Sequence, residues 1–186
     1  MKRWFTVLLG LGFYLLQSAP TFADDAAWAA LRTNAIVLFR HADAPGFGDP
    51  ENFRLGDCTT QRNLAEPGRE QARRIGQRFA EERVSVAQVL HSQWCRTTET
   101  AALAFPTARK IPTATFNSFF NDRRDEPSQT AAARALLTGW DGPGALVVVT
   151  HQVNITALTG IVPASGEGVV LRSDNGTLTV IGRIQP

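Results

Sequence analysis

The residues of this sequence best suited to chemistry are two histidines and three arginines. Three apolar runs, each typical of a buried strand, end in polar clusters: Arg40-His41, His91-Ser92 followed by Arg96, and Thr150-His151. In an open parallel sheet, the carboxyl ends of the strands border the ligand crevice. The same topology would bring Arg62, just before the first predicted helix, to this edge. We therefore predict one site centred on His41 and His151.

This set of side chains is suited to an anion that carries phosphorus. Guanidinium groups bind phosphate oxygens in pairs and keep their charge at every physiological pH. The N-terminus of a helix predicted over residues 95–105 would add backbone donors. An imidazole in these surroundings can attack phosphorus as a covalent nucleophile, and the arginines should lower its pKa and keep it neutral.

The elements that must position these residues alternate between strand and helix. Strands are predicted over residues 35–39, 84–90 and 145–150, and helices over residues 24–34, 64–82, 95–105 and 128–137 and from residue 154. The turn residues Asp174-Asn175-Gly176 predict a hairpin of residues 169–172 and 177–183. The fold class is α/β, with a mostly parallel central sheet flanked by helices on both faces and an antiparallel C-terminal hairpin.

Two long loops are expected to form the walls of the site. Residues 43–61 are rich in glycine and proline, and residues 106–127 include the stretch 111–125, which we interpret as a loop facing the substrate. These walls would determine substrate specificity.

Four motifs resemble the histidine phosphatase (phosphoglycerate-mutase-like) superfamily, branch 1. They are Leu38-Phe-Arg-His41, Arg62-Asn-Leu64 with Gly68-Arg-Glu-Gln-Ala72, Ser92-Gln-Trp-Cys-Arg96-Thr-Thr-Glu-Thr-Ala101, and Val149-Thr-His151. The resemblance covers about residues 35–160. It implies that His41 is the phosphorylated nucleophile and that Arg40, Arg96 and His151 complete the phosphate pocket, with Arg62 as a further contact.

Two departures from the family pattern affect the expected chemistry. Ala42 stands where the family usually has glycine after the histidine. Many members also carry a glutamate as proton donor after the third motif, but the comparable Phe116-Asn-Ser118 has none. We take Asp122 as the candidate acid, with Asp125 and Asp43 as the next choices.

The N-terminus has the pattern of a secretory signal peptide. Lys2-Arg3 precedes an apolar stretch of residues 4–16, and Thr21-Phe22-Ala23 precedes Asp24. We expect cleavage after Ala23, which leaves one domain of residues 24–186; the alternative is an uncleaved anchor. The chain has 19 basic and 17 acidic residues, and removal of Lys2 and Arg3 balances them at 17 each. A neutral domain gives no indication of nucleic-acid binding.

The only two cysteines would then reach an oxidising compartment. Cys58 lies four residues before Arg62, and Cys95 is adjacent to Arg96. A disulfide would join the two segments that carry these arginines; two buried thiols are the alternative.

These observations predict a periplasmic or secreted phosphoric monoester hydrolase of the histidine acid phosphatase type. Its substrate would be a small-molecule or envelope phosphate ester, and it would need no metal or cofactor and would not stay inserted in the membrane after cleavage. The missing glutamate leaves open a catalytically weak or silent protein that binds phospho-ligands. A phosphotransferase or phosphoprotein phosphatase of the same fold is also open. The oligomeric state is not predicted.

Overall fold

The computed structural model describes residues 22–186, and a six-stranded sheet forms its centre. The strands are β1 (Ile36–Arg40), β2 (Val86–His91), β3 (Lys110–Pro112), β4 (Ala145–Thr150), β5 (Gly168–Asp174) and β6 (Thr177–Ile184). Their order is β3-β2-β4-β1-β5-β6. The first four strands in this order run parallel, and β5 pairs antiparallel with both β1 and β6. The predicted fold class is confirmed.

The central position of β4 explains its composition. All six of its residues are buried, because β1 and β2 flank it and helices cover both of its faces. A strand buried on both faces needs a continuous apolar run rather than alternation, and branched side chains fit the pleated surface.

Five helices cover the two faces of the sheet. They are α1 (Phe22–Leu31), α2 (Glu66–Glu81), α3 (Cys95–Ala104), α4 (Glu126–Thr138) and α5 (Gln152–Thr159). One core packs α1, α2 and α3 against one face, and the other packs α4 and α5 against the opposite face. On α2 the predicted apolar stripe of Ala72, Ile75 and Phe79 is buried. Within residues 22–186, no helix combines the length and apolar character needed to cross a membrane.

The C-terminal hairpin turns at Asn175-Gly176, as predicted. Both residues have positive φ angles, 50° and 78°, which a two-residue turn of type I′ requires. The hairpin places β5 beside β1 and completes the sheet on that side.

The stretch 111–125 is more ordered than the predicted loop. Lys110–Pro112 forms the short edge strand β3, and Phe116 and Phe119 are buried, at 0% and 3% exposure. A three-residue strand is too short to show alternation, and the surrounding polar residues conceal the two buried rings. The rest of the stretch consists of turns, including two single 3₁₀ turns at Ala114–Phe116 and Arg123–Asp125.

The predicted signal peptide, residues 1–23, lies outside the described residues except for Phe22 and Ala23, which begin α1. The remainder of α1 packs Trp28 and Leu31 into the core, at 3% and 0% exposure.

Candidate active site

His41 lies directly after β1, with its backbone held by the neighbouring strand. Its N–H donates to the carbonyl of Thr150 at 2.9 Å, and its side chain is only 3% exposed. Nδ1 lies 2.7 Å from the carbonyl oxygen of Ala42. A carbonyl only accepts, so Nδ1 carries the hydrogen of the neutral ring. Nε2 is therefore left with a free lone pair, which is what a nucleophile requires.

The chain after His41 is clamped by residues of the second and third motifs. Thr100 accepts a hydrogen bond from the N–H of Ala42 at 3.1 Å, and Gln71 accepts one from the N–H of Asp43 at 3.0 Å. Gly68 allows α2 to approach, since a Cβ there would collide with the backbone of Asp43. These contacts give the two helical motifs a physical role: they fix the backbone on which the imidazole is mounted.

The three predicted arginines line one cleft together with His41 and His151. Arg96 is the most buried of them, at 3% exposure. Arg40 donates to the carbonyl of Pro163 at 3.0 Å, and Arg62 donates to the carbonyl of Gly48 at 2.8 Å. The structure thus brings together the two histidines and three arginines that the sequence assigned to the site, but not the candidate acid Asp122.

His151 lies between the end of β4 and the first residue of α5. Its Nε2 lies 2.9 Å from Oγ of Ser92, a fully buried hydroxyl. The ring centroids of His41 and His151 are 5.6 Å apart. Ser92 is a positioning residue that the sequence prediction noted only as the end of a strand. His91, its neighbour, points away to its own contacts with Thr98 and the carbonyl of Ser92.

Both histidines are held neutral. Burial, and then the positive charge of Arg96, lowers the pKa of His41 to about 3, with Arg62 and Arg40 adding to the effect. Burial also puts the pKa of His151 well below its usual range, and the neighbouring His41 and Arg96 act in the same direction. Neutral imidazole is the form that can attack an electrophile.

The start of α5 borders the cleft, whereas three backbone donors at the start of α3 are bonded within the protein. At the start of α3, the N–H of Cys95 donates to the side chain of Gln61 at 2.9 Å, and the N–H groups of Thr97 and Thr98 donate to Trp94. Those three donors are bonded within the protein, so they add nothing to the predicted anion site. In contrast, Gln152 and Val153, the first residues of α5, line the cleft.

Asp49 is a cleft residue that the sequence prediction missed. Its carboxylate accepts from Nη1 of Arg96 at 2.5 Å and Nη2 at 3.2 Å, and from the indole N–H of Trp94 at 2.9 Å. The side chain is only 5% exposed. Asp49 stands between glycine and proline in a loop, a context in which aspartate usually serves a turn. Only its pairing with Arg96 distinguishes it, and that pairing is not visible in the sequence.

Asp122, the candidate acid, lies outside the cleft. It borders a neighbouring depression, which also includes Asp49 and Ser118. Its side chain is 45% exposed and paired with Arg124. Hydrogen bonds from Arg124 lower the pKa of Asp122 to about 2. An acid that is deprotonated this readily is a poor proton donor, so the structure does not support the assignment of Asp122. Asp125 borders the same depression, and Asp43 is exposed.

Cys58 and Cys95 form a disulfide, with their Cα atoms 5.7 Å apart. It joins the 3₁₀ turn Cys58–Thr60 to the first residue of α3. Arg62 and Arg96 follow these cysteines closely, so the bond links the two segments that carry them.

The mouth of the cleft is aromatic. Phe47 and Phe120 meet edge to face with their ring centroids 5.0 Å apart, and they are 88% and 37% exposed. The two rings come from the two loops predicted to form the walls. The cleft therefore has a cationic floor and an apolar rim.

The sequence was compared with family models and with curated proteins, and a family model matches part of it. Residues 36–117 match the model of the histidine phosphatase superfamily (branch 1). No curated protein sequence matches the chain significantly.

Solved structures with the same fold include the protein histidine phosphatase SixA complexed with tungstate, at 16% identity and a TM-score of 0.57, covering 81% of this chain and 96% of SixA. Bacillus stearothermophilus YhfR has 17% identity and a TM-score of 0.57, with coverages of 79% and 95%. The alpha-ribazole phosphatase from Shigella flexneri has 14% identity and a TM-score of 0.56, with coverages of 78% and 94%.

At such identities the structural likeness concerns the fold alone. The matched segment contains Arg40, His41, Arg62 and Arg96, and the structure adds His151 to the same cleft. Residues 36–117 of this chain are therefore similar to the histidine phosphatase superfamily, branch 1.

Proposed function

We propose that the protein is a phosphomonoesterase that acts through a phosphohistidine intermediate on His41. The observation that carries this proposal is the state of the His41 ring. Its Nδ1 is bonded to the carbonyl of Ala42, its pKa is lowered to about 3, and it lines a cleft with Arg40, Arg62 and Arg96. A neutral, oriented nucleophile beside three fixed cations is suited to attack on a phosphoryl group.

In the proposed reaction, Nε2 of His41 attacks phosphorus in line with the ester oxygen. The P–O ester bond breaks as the N–P bond forms, and the leaving oxygen takes a proton from an acid. Arg40, Arg62, Arg96 and His151 hold the remaining oxygens, whose charge they stabilise in the transition state. Water then attacks the phosphohistidine, which releases inorganic phosphate and restores the ring.

Two further features support a phosphate ligand. The N-terminus of α5 borders the cleft, and helix N-termini favour anions. SixA, which shares the fold, was solved in complex with tungstate, an oxyanion. The apolar rim of Phe47 and Phe120 favours esters whose leaving group has an apolar or aromatic part.

The proposed activity is tested by incubating the protein with an aryl phosphate in the presence of EDTA. Wild type should release free phosphate, and His41→Ala should lose at least about a thousandfold in kcat, as expected when a covalent nucleophile is removed. Equal turnover in the two proteins would overturn the mechanism. Bound ester without turnover would favour a silent binding protein, and phosphate recovered on an added alcohol would favour a phosphotransferase.

We also propose that the protein is exported to the periplasm or secreted. The basic, apolar and small-residue pattern of residues 1–23 supports this, as does a disulfide, which persists in oxidising compartments. N-terminal sequencing of the protein expressed with its full N-terminus should give Asp24 as the first residue. Recovery of intact Met1 in the cytoplasmic fraction would contradict export.

A further inference from the structure

The carboxylate of Asp49 is paired with the guanidinium group of Arg96, the group that a phosphoryl group would bind. Both terminal nitrogens of Arg96 donate to Asp49, while its buried Nε has no hydrogen-bond partner in the described part of the chain. A carboxylate and a phosphate bind the same two-pronged face of arginine. A substrate that binds Arg96 in this way must therefore displace Asp49.

The loop that carries Asp49 contains two glycines in left-handed backbone conformations. Gly46 and Gly48 have positive φ angles of 97° and 65°, so the backbone there uses conformations that few other residues adopt. Arg62 donates to the carbonyls of Ala44 and Gly48, which keeps the loop close to the cationic floor. A displaced Asp49 would thus stay among the residues that line the cleft.

We propose that Asp49 is the catalytic acid, released from Arg96 by the incoming phosphoryl group and then positioned to protonate the leaving oxygen. This inference rests on the proposed phosphatase function and names the proton donor that the missing glutamate leaves unassigned.

The charges around Asp49 explain how one side chain can first pair with Arg96 and then act as an acid. Burial alone would raise the pKa of Asp49, but hydrogen bonds from Arg96 and Trp94 outweigh it and hold the pKa below its ordinary value. Once phosphate takes Arg96, the carboxylate loses those donors and faces a dianion, and a like charge nearby raises a carboxyl pKa. Displacement would therefore lead Asp49 to take a proton from solvent.

Other charged groups around Asp49 act on this equilibrium in both directions. Arg62 faces it from the segment before α2 and favours the carboxylate. Asp122 and Asp125 face the adjoining depression from the turn before α4 and favour the protonated form. His41 and His151 border the same cleft and are neutral, so they add no charge that would shift the protonation of Asp49.

The proton balance closes over one turnover. The carboxyl group of Asp49 gives its proton to the ester oxygen as the P–O bond breaks, and an alcohol leaves. The resulting carboxylate then accepts a proton from the water that attacks phosphorus, while the N–P bond breaks and its electron pair returns to Nε2 of His41. Inorganic phosphate leaves, and Asp49 releases this proton to solvent as its carboxylate pairs with Arg96 again.

The test compares two aryl esters in wild type and Asp49→Asn. Because kcat/KM reports steps up to formation of the phosphoenzyme, loss of the acid should lower it about a hundredfold for phenyl phosphate, whose leaving group needs a proton. For 4-nitrophenyl phosphate, whose leaving group departs without one, the loss should be under about tenfold. Asp49→Glu keeps a carboxyl group and should recover part of the lost phenyl phosphate activity.

A matched control and a binding measurement complete the design. Glu51→Gln removes the same charge from an exposed site two residues away and should leave the ratio of the two esters unchanged. Asp49→Asn should also bind inorganic phosphate several times more tightly, since Arg96 loses its charged competitor.

An equal loss for both esters, or unchanged kinetics in folded Asp49→Asn, would overturn the role of Asp49. If instead the wild type hydrolyses neither ester, the proposed phosphatase function itself fails. Thermal unfolding of each variant confirms that the comparison is made between folded proteins.

Discussion

His41 and His151 lie with their ring centroids 5.6 Å apart among three arginines, so a proton on either ring would add charge to an already cationic cleft. At the residue scale, this crowding determines the chemistry. It keeps the nucleophile neutral and makes the cleft attractive to an anion. It also explains why a carboxylate, that of Asp49, pairs with Arg96.

The two buried histidines of the cleft, His41 and His151, should make the protein less stable as the pH falls. The native pKa of His41 is lowered to about 3, whereas a histidine in an unfolded chain titrates near 6.5. Below pH 6.5 the unfolded chain therefore binds a proton that the native state does not. The free energy of unfolding should be fully present above pH 6.5 and fall by up to about 1.4 kcal/mol per histidine per pH unit below it.

Denaturant unfolding at pH 7 and pH 5 measures this loss of unfolding free energy. The range is suitable because most carboxylates titrate below pH 5. His41→Gln should reduce the loss of unfolding free energy between the two pH values by about 2 kcal/mol, because one of the three histidines with a lowered pKa is gone. Glu51→Gln should leave the loss unchanged. An identical pH dependence in wild type and His41→Gln would show that the buried ring is not held neutral.

Single residues also show how far sequence reasoning extends. His41, Arg96 and His151 could be predicted because each follows a recognisable strand or begins a recognisable helix, and parallel topology gathers such positions. Asp49 could not be predicted, because its role depends on how the loop of residues 43–61 folds back over the cleft. Asp122 was chosen by its place along the chain, and its pairing with Arg124 depends on the same kind of local loop structure.

At the scale of elements, the cleft is assembled from strand ends and stabilised by the helices behind them. α2 and α3 hold the backbone after His41 through Gln71 and Thr100. Strands and long helices were predicted well because their apolar periods extend over many residues. The sequence could not show that the N–H of Cys95, at the start of α3, is taken by Gln61, a residue more than thirty positions away.

The disulfide is the covalent link between two of these elements. It closes 37 residues of sequence, and a loop of that length corresponds to about 4 kcal/mol in the chain-entropy model. The double variant Cys58→Ser/Cys95→Ser should therefore lose up to about 4 kcal/mol of unfolding free energy. We expect kcat/KM to fall as well, because Arg62 and Arg96 would be held less firmly.

Thiol titration provides the direct check on this bond. The denatured, unreduced protein should contain no free thiol. Two free thiols, or a serine variant as stable as wild type, would contradict a structural role for the disulfide.

At the scale of the whole molecule, one sheet edge carries all the proposed chemistry. The carboxyl ends of β1 and β4 and the start of α3 meet there, and the loops before α2 and α4 close over the cleft. The C-terminal hairpin extends the sheet on the side of β1 and takes no part in lining the cleft. The fold could be predicted almost completely, whereas the specificity of the loops could not, because one sequence does not reveal what they enclose.

The most direct test of the account is the detection of the phosphoenzyme. Wild type mixed rapidly with an excess of ³²P-labelled aryl phosphate and quenched in alkaline denaturant should carry label that is stable to alkali and lost in acid. Mass mapping should place that label on His41, and His41→Ala should carry none. Label on a serine or aspartate, or equal label in His41→Ala, would contradict the central claim that His41 is the nucleophile.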